Sequence, residues 1–210
     1  MSDRLSDFID SLEPDESPLL RQIELSALAA GVPIVRRQTG AFLKSMVALL
    51  QPSRILEVGT AVGYSALLMA TRLPPQGTIT CIERDAGLCQ EALSNWDKAG
   101  ERRLHLLQGE ADDLLQELAP GFELIFLDAA KAQYPVWLPR LTELLAPGGA
   151  LIADNVLQQE TIADSRFDLP RRDRTIHRRM REFLRMLKTS PELTSCVLPV
   201  GDGVALAVKR

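Results

Sequence analysis

The sequence predicts one α/β domain, in which helices cover both faces of a mostly parallel sheet. After residue 54, short apolar runs of strand length alternate with segments of helical length and periodicity. Near the C-terminus, two apolar runs flank Gly201, Asp202 and Gly203, a pattern typical of a β-hairpin. The 210 residues, 46% of them hydrophobic and 25% charged, fit a single globular domain of ordinary size.

Residues 1–50 are predicted to form a helical extension. Pro18 can open one helix that stops at Gly31, and Thr39 is the predicted N-cap of the next, which ends near Pro52. Five buried parallel strands are then predicted, at residues 54–58, 78–82, 104–108, 123–127 and 150–154. A long helix and a terminal hairpin of residues 194–200 and 204–210 complete the chain.

Composition excludes several classes of protein. The net charge of −4 argues against a nucleic-acid partner, which usually requires a basic excess. No apolar run of about 18 residues is present, so we expect no membrane span. The acidic N-terminus has no secretory signal pattern, and three cysteines without metal-ligand spacing fit a reducing compartment. We therefore expect a cytoplasmic enzyme acting on a small molecule, or a protein-binding module.

Ligands of open α/β sheets bind beyond the carboxyl ends of the strands. Gly59 and Gly63 follow the first predicted strand, where they allow a tight turn and close approach of a ligand. Their spacing is neither the G-x-G-x-x-G of dinucleotide-binding folds nor a P-loop. Glu83, after the second strand, can accept hydrogen bonds from ribose hydroxyls, and Ala111, after the third, is small enough to face a base. A packing turn and a solvated carboxylate are the alternative interpretations.

Polar residues also follow the fourth and fifth strands. Asp128 and Lys131 come after the fourth, and Asp154 and Asn155 end the fifth. Neighbouring parallel strands lie about 4.8 Å apart, so these residues can share one ion. Two carboxylates and an amide oxygen are hard ligands that suit Mg²⁺, with Lys131 within reach of a substrate beside it. The alternative, that both aspartates merely cap helices, accounts poorly for all four residues together.

Four stretches resemble the cation-dependent, S-adenosylmethionine-using O-methyltransferases of the catechol and caffeoyl-CoA type, in the shorter bacterial form. These are LEVGTAVGYSALLMA, LIFLDAAKAQYPVWL, LLAPGGALIADNVL and LPVGDGVALAVK, and the resemblance covers roughly residues 30–210. It implies a single-domain Rossmann-like class I methyltransferase sandwich, with a mostly parallel seven-stranded sheet and a C-terminal antiparallel hairpin. Within it, residues 1–50 are the N-terminal extension and residues 51–210 bind S-adenosylmethionine.

The resemblance also implies roles for individual residues. It assigns Lys131 as the general base and Asp128 as a second catalytic residue. The implied metal ligands, for Mg²⁺ or another divalent cation, are Asp128, Asp154 and Asn155. The implied cofactor-binding residues are Glu57, Gly59, Thr60, Gly63, Tyr64, Ser65, Glu83, Ala111 and Asp128. The implied acceptor is a small hydroxylated aromatic molecule such as a catechol, and we expect a homodimer formed through the N-terminal helices or a sheet edge.

A departure from the family pattern and an arginine-rich segment both bear on the acceptor. Leu184 stands where the family often carries an acceptor-side Asn, which questions the usual phenolic substrate. The segment Arg171–Arg185 is rich in arginine, and Ile176, Met180, Phe183 and Leu187 are predicted to form its core face. The arginine stripe opposite is interpreted as a solvated or subunit-contact face in preference to an anionic-substrate site.

Three alternatives to a catechol methyltransferase stay open. The first is a methyltransferase of the same fold with a non-catechol acceptor and no metal requirement. The second is a catalytically inert cofactor-binding module, which the presence of Asp128, Lys131, Asp154 and Asn155 disfavours. The third, a nicotinamide-dependent dehydrogenase, is disfavoured by the glycine spacing.

Overall fold

The fold is a seven-stranded sheet covered by helices, as described by a computed structural model over residues 3–157, 161–165 and 167–210. The strands are β1 Arg54–Val58, β2 Thr78–Glu83, β3 Leu104–Gln108, β4 Phe122–Leu127, β5 Leu145–Ala153, β6 Leu193–Leu198 and β7 Val204–Lys209. The helices are α1 Asp3–Leu12, α2 Pro18–Ala29, α3 Arg37–Leu50, α4 Tyr64–Ala70, α5 Ala86–Lys98, α6 Ala111–Glu117, α7 Tyr134–Leu144 and α8 Arg174–Thr189. Short 3₁₀ turns lie at Lys131–Gln133 and Thr161–Ala163.

The strand order is β3-β2-β1-β4-β5-β7-β6. Strands β1 to β5 are parallel, and β7 runs antiparallel between β5 and β6. The chain moves outward from β1 to β3 and then returns to β4, so the strand order reverses between β1 and β4. The predicted α/β sandwich with a mostly parallel seven-stranded sheet and a C-terminal antiparallel hairpin is confirmed.

Two hydrophobic cores lie on opposite faces of this sheet. Ile55 belongs to the core beneath α2, α3, α4 and α5, whereas the next residue, Leu56, belongs to the core beneath α6, α7 and α8. Successive side chains of a strand point to opposite faces, so the side chains of a strand buried on both faces are mostly apolar. Within the part of the chain that the structure describes, no helix is long and apolar enough to cross a membrane.

Three local predictions differ from the structure. Helix α3 begins at Arg37 with Arg36 as its N-cap, so Thr39 is a fully buried helical residue and not a cap. The run at residues 145–149, predicted as the end of a helix, is the start of β5. On α8, Met180, Phe183 and Leu187 form the buried face as predicted, but its first member is His177, three residues before Met180, whereas Ile176 is exposed. The division of the chain near residue 51 stays a prediction.

The turn after β1 is held from inside by a buried carboxylate. Glu57 is fully buried, and its carboxylate oxygens accept hydrogen bonds from the Thr60 hydroxyl and, at 2.5 Å, from the Ser65 hydroxyl. Burial is the main reason that the pKa of Glu57 rises to about 7, against the opposing effect of these hydrogen bonds. Glu57 therefore ties the end of β1 to the first turn of α4.

Helix α5 also holds the turn after β1 in place. The indole N–H of Trp96 donates to the Gly63 carbonyl at 3.1 Å, and the Asn95 amide donates to the Val62 carbonyl at 3.0 Å. Gly63 has a φ of +79°, and a Cβ there would lie 2.2 Å from the Trp96 indole nitrogen. Only glycine fits this position, both because of its backbone conformation and because of the close indole.

Glu57→Gln is expected to flatten the dependence of stability on pH. Because the folded state raises the pKa of Glu57 from 4.5 to about 7, it keeps a proton that the unfolded chain releases between these values. The wild-type free energy of unfolding should therefore fall, relative to that of the variant, by about 3 kcal/mol between pH 4 and pH 8. Urea denaturation at several pH values measures this difference. The exposed Glu117→Gln is the control, and parallel curves for wild type and Glu57→Gln would refute the prediction.

Candidate active site

The carboxyl ends of β1 and β4 approach each other closely at the reversal of strand order. The Asp128 backbone N–H donates to the Val58 carbonyl at 3.0 Å, and the Asp154 N–H donates to the Leu127 carbonyl at 3.1 Å. A Cβ on Gly59, whose φ is +91°, would lie 2.3 Å from the Asp128 carbonyl oxygen. The glycine turn and the two aspartates therefore share one crevice, where open α/β sheets bind ligands.

Glu83, the last residue of β2, lies beside the glycine turn. Its carboxylate accepts the Ala61 backbone N–H at 3.0 Å and the N–H groups of Arg84 and Asp85 at 2.8 and 3.0 Å. Ala61 has a positive φ of 47°, a strained conformation for this residue, and the bond to Glu83 holds it there. A carboxylate has about four acceptor positions, so Glu83 retains capacity for a ligand hydroxyl. Ala111 is buried at the first position of α6.

Lys131 brings the ends of β4 and β5 together. Its ammonium donates to Asp128 Oδ1 at 2.5 Å and to Asn155 Oδ1 at 2.7 Å. Asn155 has a φ of 56°, in the left-handed region that Asn adopts more readily than most residues. Two of the three predicted metal ligands, Asp128 and Asn155, thus accept hydrogen bonds from the same ammonium nitrogen.

Tyr134 positions Lys131 from the core. The phenol is fully buried, donates to the Leu127 carbonyl at 3.1 Å and accepts from the Ala129 N–H at 3.3 Å. The Lys131 ammonium lies 3.2 Å from the same phenol oxygen. Burial raises the pKa of Tyr134 well above its usual value, so the phenol stays protonated and acts as a fixed support.

Asp154 is a buried carboxylate in an acidic environment. It is 2% exposed, and its Oδ1 accepts the Asn155 backbone N–H at 2.8 Å and lies 3.5 Å from the Thr39 hydroxyl. Burial is the largest cause, and the Asp128 charge the next, of a pKa raised to about 7. A carboxylate with such a pKa gains strongly from a cation placed beside it.

Asp202 adds a third acid, which was predicted from the sequence only as part of the hairpin turn. Its Oδ2 accepts the Asn155 amide at 3.3 Å and the Arg36 guanidinium at 2.8 Å. Because the amide N–H₂ is held by Asp202, the amide oxygen of Asn155 points toward Lys131. The neighbouring Gly201 N–H donates to the Gln38 side chain at 3.3 Å, so α3 also contacts the site. An acid between two glycines at a hairpin tip was the only sequence signal for this residue.

The donor set fits a divalent cation of the Mg²⁺ type. Asp128, Asp154 and Asn155 supply hard oxygen ligands, and the Lys131 ammonium already marks the place where two of them converge on a positive charge. Among the described residues, no group of three or more His, Cys, Asp and Glu side chains forms a metal cluster. The predicted set differs from such a cluster because its third donor is the Asn155 amide, so that the set contains only two carboxylates.

Some of the predicted site residues are buried beside the crevice and do not face solvent. Glu57 and Ser65 satisfy each other inside the turn, where they shape the site without facing solvent. Tyr64 is 5% exposed and packs in the core beneath the N-terminal helices. Its burial, with the Glu24 and Glu16 charges, raises the pKa of Tyr64 to about 12. Trp137 is also buried and donates to Asp112 at 2.9 Å, which makes it a core residue.

Known proteins share this sequence and this architecture. A family profile described as O-methyltransferase matches residues 12–210. A catechol O-methyltransferase of Niastella koreensis is 32% identical, with 97% of this chain and 95% of that protein covered. A caffeoyl-CoA O-methyltransferase of Populus kitakamiensis is 33% identical, with 80% of this chain and 74% of that protein covered.

Solved structures agree with the sequence matches. An O-methyltransferase from Bacillus cereus, crystallised in complex with SAH, superposes with a TM-score of 0.87 at 25% identity and covers 99% of this chain and 97% of its own. TomG, an O-methyltransferase of Streptomyces achromogenes solved with SAM, gives 0.86 at 26% identity, with 100% and 99% covered. A profile match over nearly the whole chain, together with relatives above 30% identity, shows that this chain belongs to the O-methyltransferase family and is an O-methyltransferase.

Proposed function

We propose that this enzyme transfers a methyl group from S-adenosylmethionine to a hydroxyl of a small, catechol-like acceptor held beside a divalent cation. The observation that carries the proposal is the convergence of Asp128, Lys131 and Asn155 within 2.7 Å contacts at the ends of β4 and β5, with buried Asp154 beside them. This arrangement combines hard oxygen ligands with a base. Neither a nicotinamide dehydrogenase nor a purely structural module requires it.

The crevice also offers a site for the methyl donor, which supplies an activated methyl group on a sulfonium. Glu83 would accept the hydroxyl groups of the ribose, and the turn from Gly59 to Gly63 would follow the methionine part. Ala111 would face the adenine. Asp128 lies between this turn and Asn155, so its carboxylate can serve both the donor and the acceptor side of the crevice.

Lys131, in its uncharged amine form, is the residue proposed to take the proton from the acceptor hydroxyl. A divalent cation, when bound, lowers the pKa of a coordinated hydroxyl and so makes its oxygen a better nucleophile. The Lys131 nitrogen lies within hydrogen-bond distance of Asp128 and Asn155, and therefore next to any hydroxyl that these residues help to hold. Tyr134 restricts the lysine to this position, which favours a fixed line of attack.

The choice of acceptor depends on the α8 side of the site. Leu184 is half-buried and packs against the core on the α8 side of the sheet, where the family often has a polar Asn. A leucine removes a hydrogen-bond partner from that side of the site. A non-catechol acceptor without a metal requirement is therefore retained as the second candidate function.

Within the proposed function, the first prediction concerns metal-dependent turnover. We expect labelled methyl transfer from S-adenosylmethionine to an ortho-diphenol in the presence of Mg²⁺, and its loss in excess EDTA. Asp154→Ala should reduce turnover by more than about a hundredfold, because it removes a buried anionic ligand. Product formation that is insensitive to EDTA would contradict the metal requirement and favour the second candidate.

In the same assay, Lys131→Met distinguishes the loss of the proposed base from the loss of a metal ligand. This variant should lose roughly 10²- to 10⁴-fold in turnover while Mg²⁺ binding, measured by calorimetry, persists. Asp154→Ala and Lys131→Met should both still bind S-adenosylmethionine, which would show that both variants are folded. Wild-type turnover by Lys131→Met would refute the assignment of Lys131 as the base.

The second prediction concerns Asp202. Because Asp202 holds the Asn155 amide, Asp202→Ala should weaken the apparent affinity for Mg²⁺ by about 10- to 100-fold, while turnover at saturating Mg²⁺ stays close to wild type. Arg36→Gln should give a smaller effect in the same direction. Titration of turnover with Mg²⁺ measures both, with the exposed Asp97→Ala as control. An unchanged Mg²⁺ titration for Asp202→Ala would contradict this role.

We also propose a cytoplasmic homodimer formed through the N-terminal helices. Leu5, Phe8 and Leu12 are 46%, 58% and 64% exposed along one side of α1, and Leu25 and Leu28 are exposed on α2. Helical spacing places the three α1 residues on a common apolar stripe, which is costly to leave in water.

The third prediction is that Phe8→Glu yields a monomer. Introducing a carboxylate into the apolar stripe should oppose its burial against a second chain. Light scattering coupled to size exclusion measures the mass, and Asp7→Lys, a charge change at an exposed neighbouring position, should leave the dimer intact. A wild-type monomer, or a dimer that Phe8→Glu does not weaken, would contradict this interface.

A further inference from the structure

The tip of the C-terminal hairpin packs tightly between α3 and the segment that follows β5. On one side, a Cβ on Gly201, whose φ is +55°, would lie 2.6 Å from the Thr39 hydroxyl oxygen. On the other side, a Cβ on Gly203, whose φ is +93°, would lie 2.3 Å from the Leu157 side chain. The tip therefore cannot shift toward either neighbour without displacing it.

The same hairpin tip holds the backbone next to Asn155. The Val156 N–H donates to the Gly203 carbonyl at 2.9 Å, and the Leu157 N–H donates to the Asp202 carbonyl at 3.1 Å. The Asn155 amide donates to the Asp202 carboxylate, so hydrogen bonds join the tip to three consecutive residues. A displacement of the tip would therefore also displace Asn155.

Gln38 holds the tip from the first turn of α3. Its side-chain oxygen accepts the Gly201 N–H at 3.3 Å, and its side-chain nitrogen donates to the Ser6 carbonyl of α1 at 3.2 Å. Gln38 is 8% exposed. An N–H can only donate and a carbonyl can only accept, so a single orientation of the amide satisfies both partners. An apolar side chain of similar size would leave both groups without this partner.

We propose that Gln38 is a positioning residue, which clamps the hairpin tip onto α3 and so holds Asn155 in place as a ligand of the divalent cation. The inference rests on the proposed function, because its consequence is measured at the proposed metal site. Asn155 has a φ of 56°, and a residue in this sparsely populated region keeps its conformation only when surrounding contacts impose it. Gln38 supplies that constraint through the tip and Asp202.

Hydrogen exchange of the metal-free enzyme tests the clamp itself. In Gln38→Met, peptides from the hairpin tip and from the segment after β5 should exchange faster than in wild type. The reason is that the Gly201 N–H loses its acceptor, and the N–H groups of Val156 and Leu157 then bond to a tip that is less firmly held. Gln90→Met, at an exposed position of α5, is the control and should exchange like wild type in these peptides.

Gly201→Ala tests the clamp from the opposite side. The added methyl group would meet the Thr39 hydroxyl and push the tip away from α3, so the same peptides should exchange faster. Gly100→Ala is the matched control, because Gly100 has a similar φ of +65° and a Cβ there would meet none of the described residues beyond its chain neighbours within 4 Å. Both variants carry the strain of alanine at positive φ, but only Gly201→Ala displaces the tip.

Calorimetric titration with Mg²⁺ then tests the consequence for the site. Gln38→Met should weaken the affinity about three- to tenfold, and the effect should be smaller in an Asp202→Ala background, because both residues act on Asn155 along one path. Gly201→Ala should also weaken the affinity. Gly100→Ala should keep wild-type affinity, which separates a loss of stability from a loss of positioning.

Unchanged exchange in both Gln38→Met and Gly201→Ala would overturn the clamp. Faster exchange with an unchanged Mg²⁺ affinity in both variants would overturn the positioning of Asn155. A wild-type enzyme that binds no Mg²⁺ would instead reject the metal requirement of the proposed function, and faster exchange in the two variants would then still support the clamp.

Discussion

The structure depends on the close approach of β1 and β4 at the point where the strand order reverses. The backbone of Gly59 lies so near the Asp128 carbonyl that any side chain there would collide with it. This approach allows the turn after β1, which Glu57 and Trp96 hold in place, to adjoin the residues at the end of β4. A donor along the turn and an acceptor at the ends of β4 and β5, as proposed above, would therefore be brought together by the backbone geometry.

Uncompensated negative charge is the second organising feature of the site. Asp128, Asp154 and Asp202 lie close enough to influence one another, and the pKa of Asp154 rises to about 7 as a result of its burial and of the Asp128 charge. Lys131 and Arg36 supply positive charge from opposite sides, and the Asn155 amide lies between them. These partners explain why the acids are tolerated in a partly buried crevice, and the remaining excess of negative charge explains why a further cation would stabilise the assembly.

Helix α8 has different roles on its two faces. Its inner face, with Met180, Phe183 and Leu187, completes the core beneath the sheet and supports Tyr134. Its outer face carries exposed arginines, among them Arg178, Arg181 and Arg185. One helix thus combines an arginine-rich surface with the core packing that supports Tyr134 and, through it, Lys131.

The order of strands and helices, the family and most of the residues gathered in the crevice were determined by the sequence itself. Apolar runs of strand length leave few alternatives, and residues at the ends of parallel strands must meet at one edge. Only the tertiary structure decided which residue begins the buried face of α8, because helical spacing from Met180 allows His177 as well as Ile176 to point inward. The same holds for Thr39, which is buried near Asp154, and for Asp202, which reaches Asn155 from a hairpin 47 residues away along the chain. Contacts between segments so distant in sequence arise from tertiary packing, and local sequence patterns do not predict them.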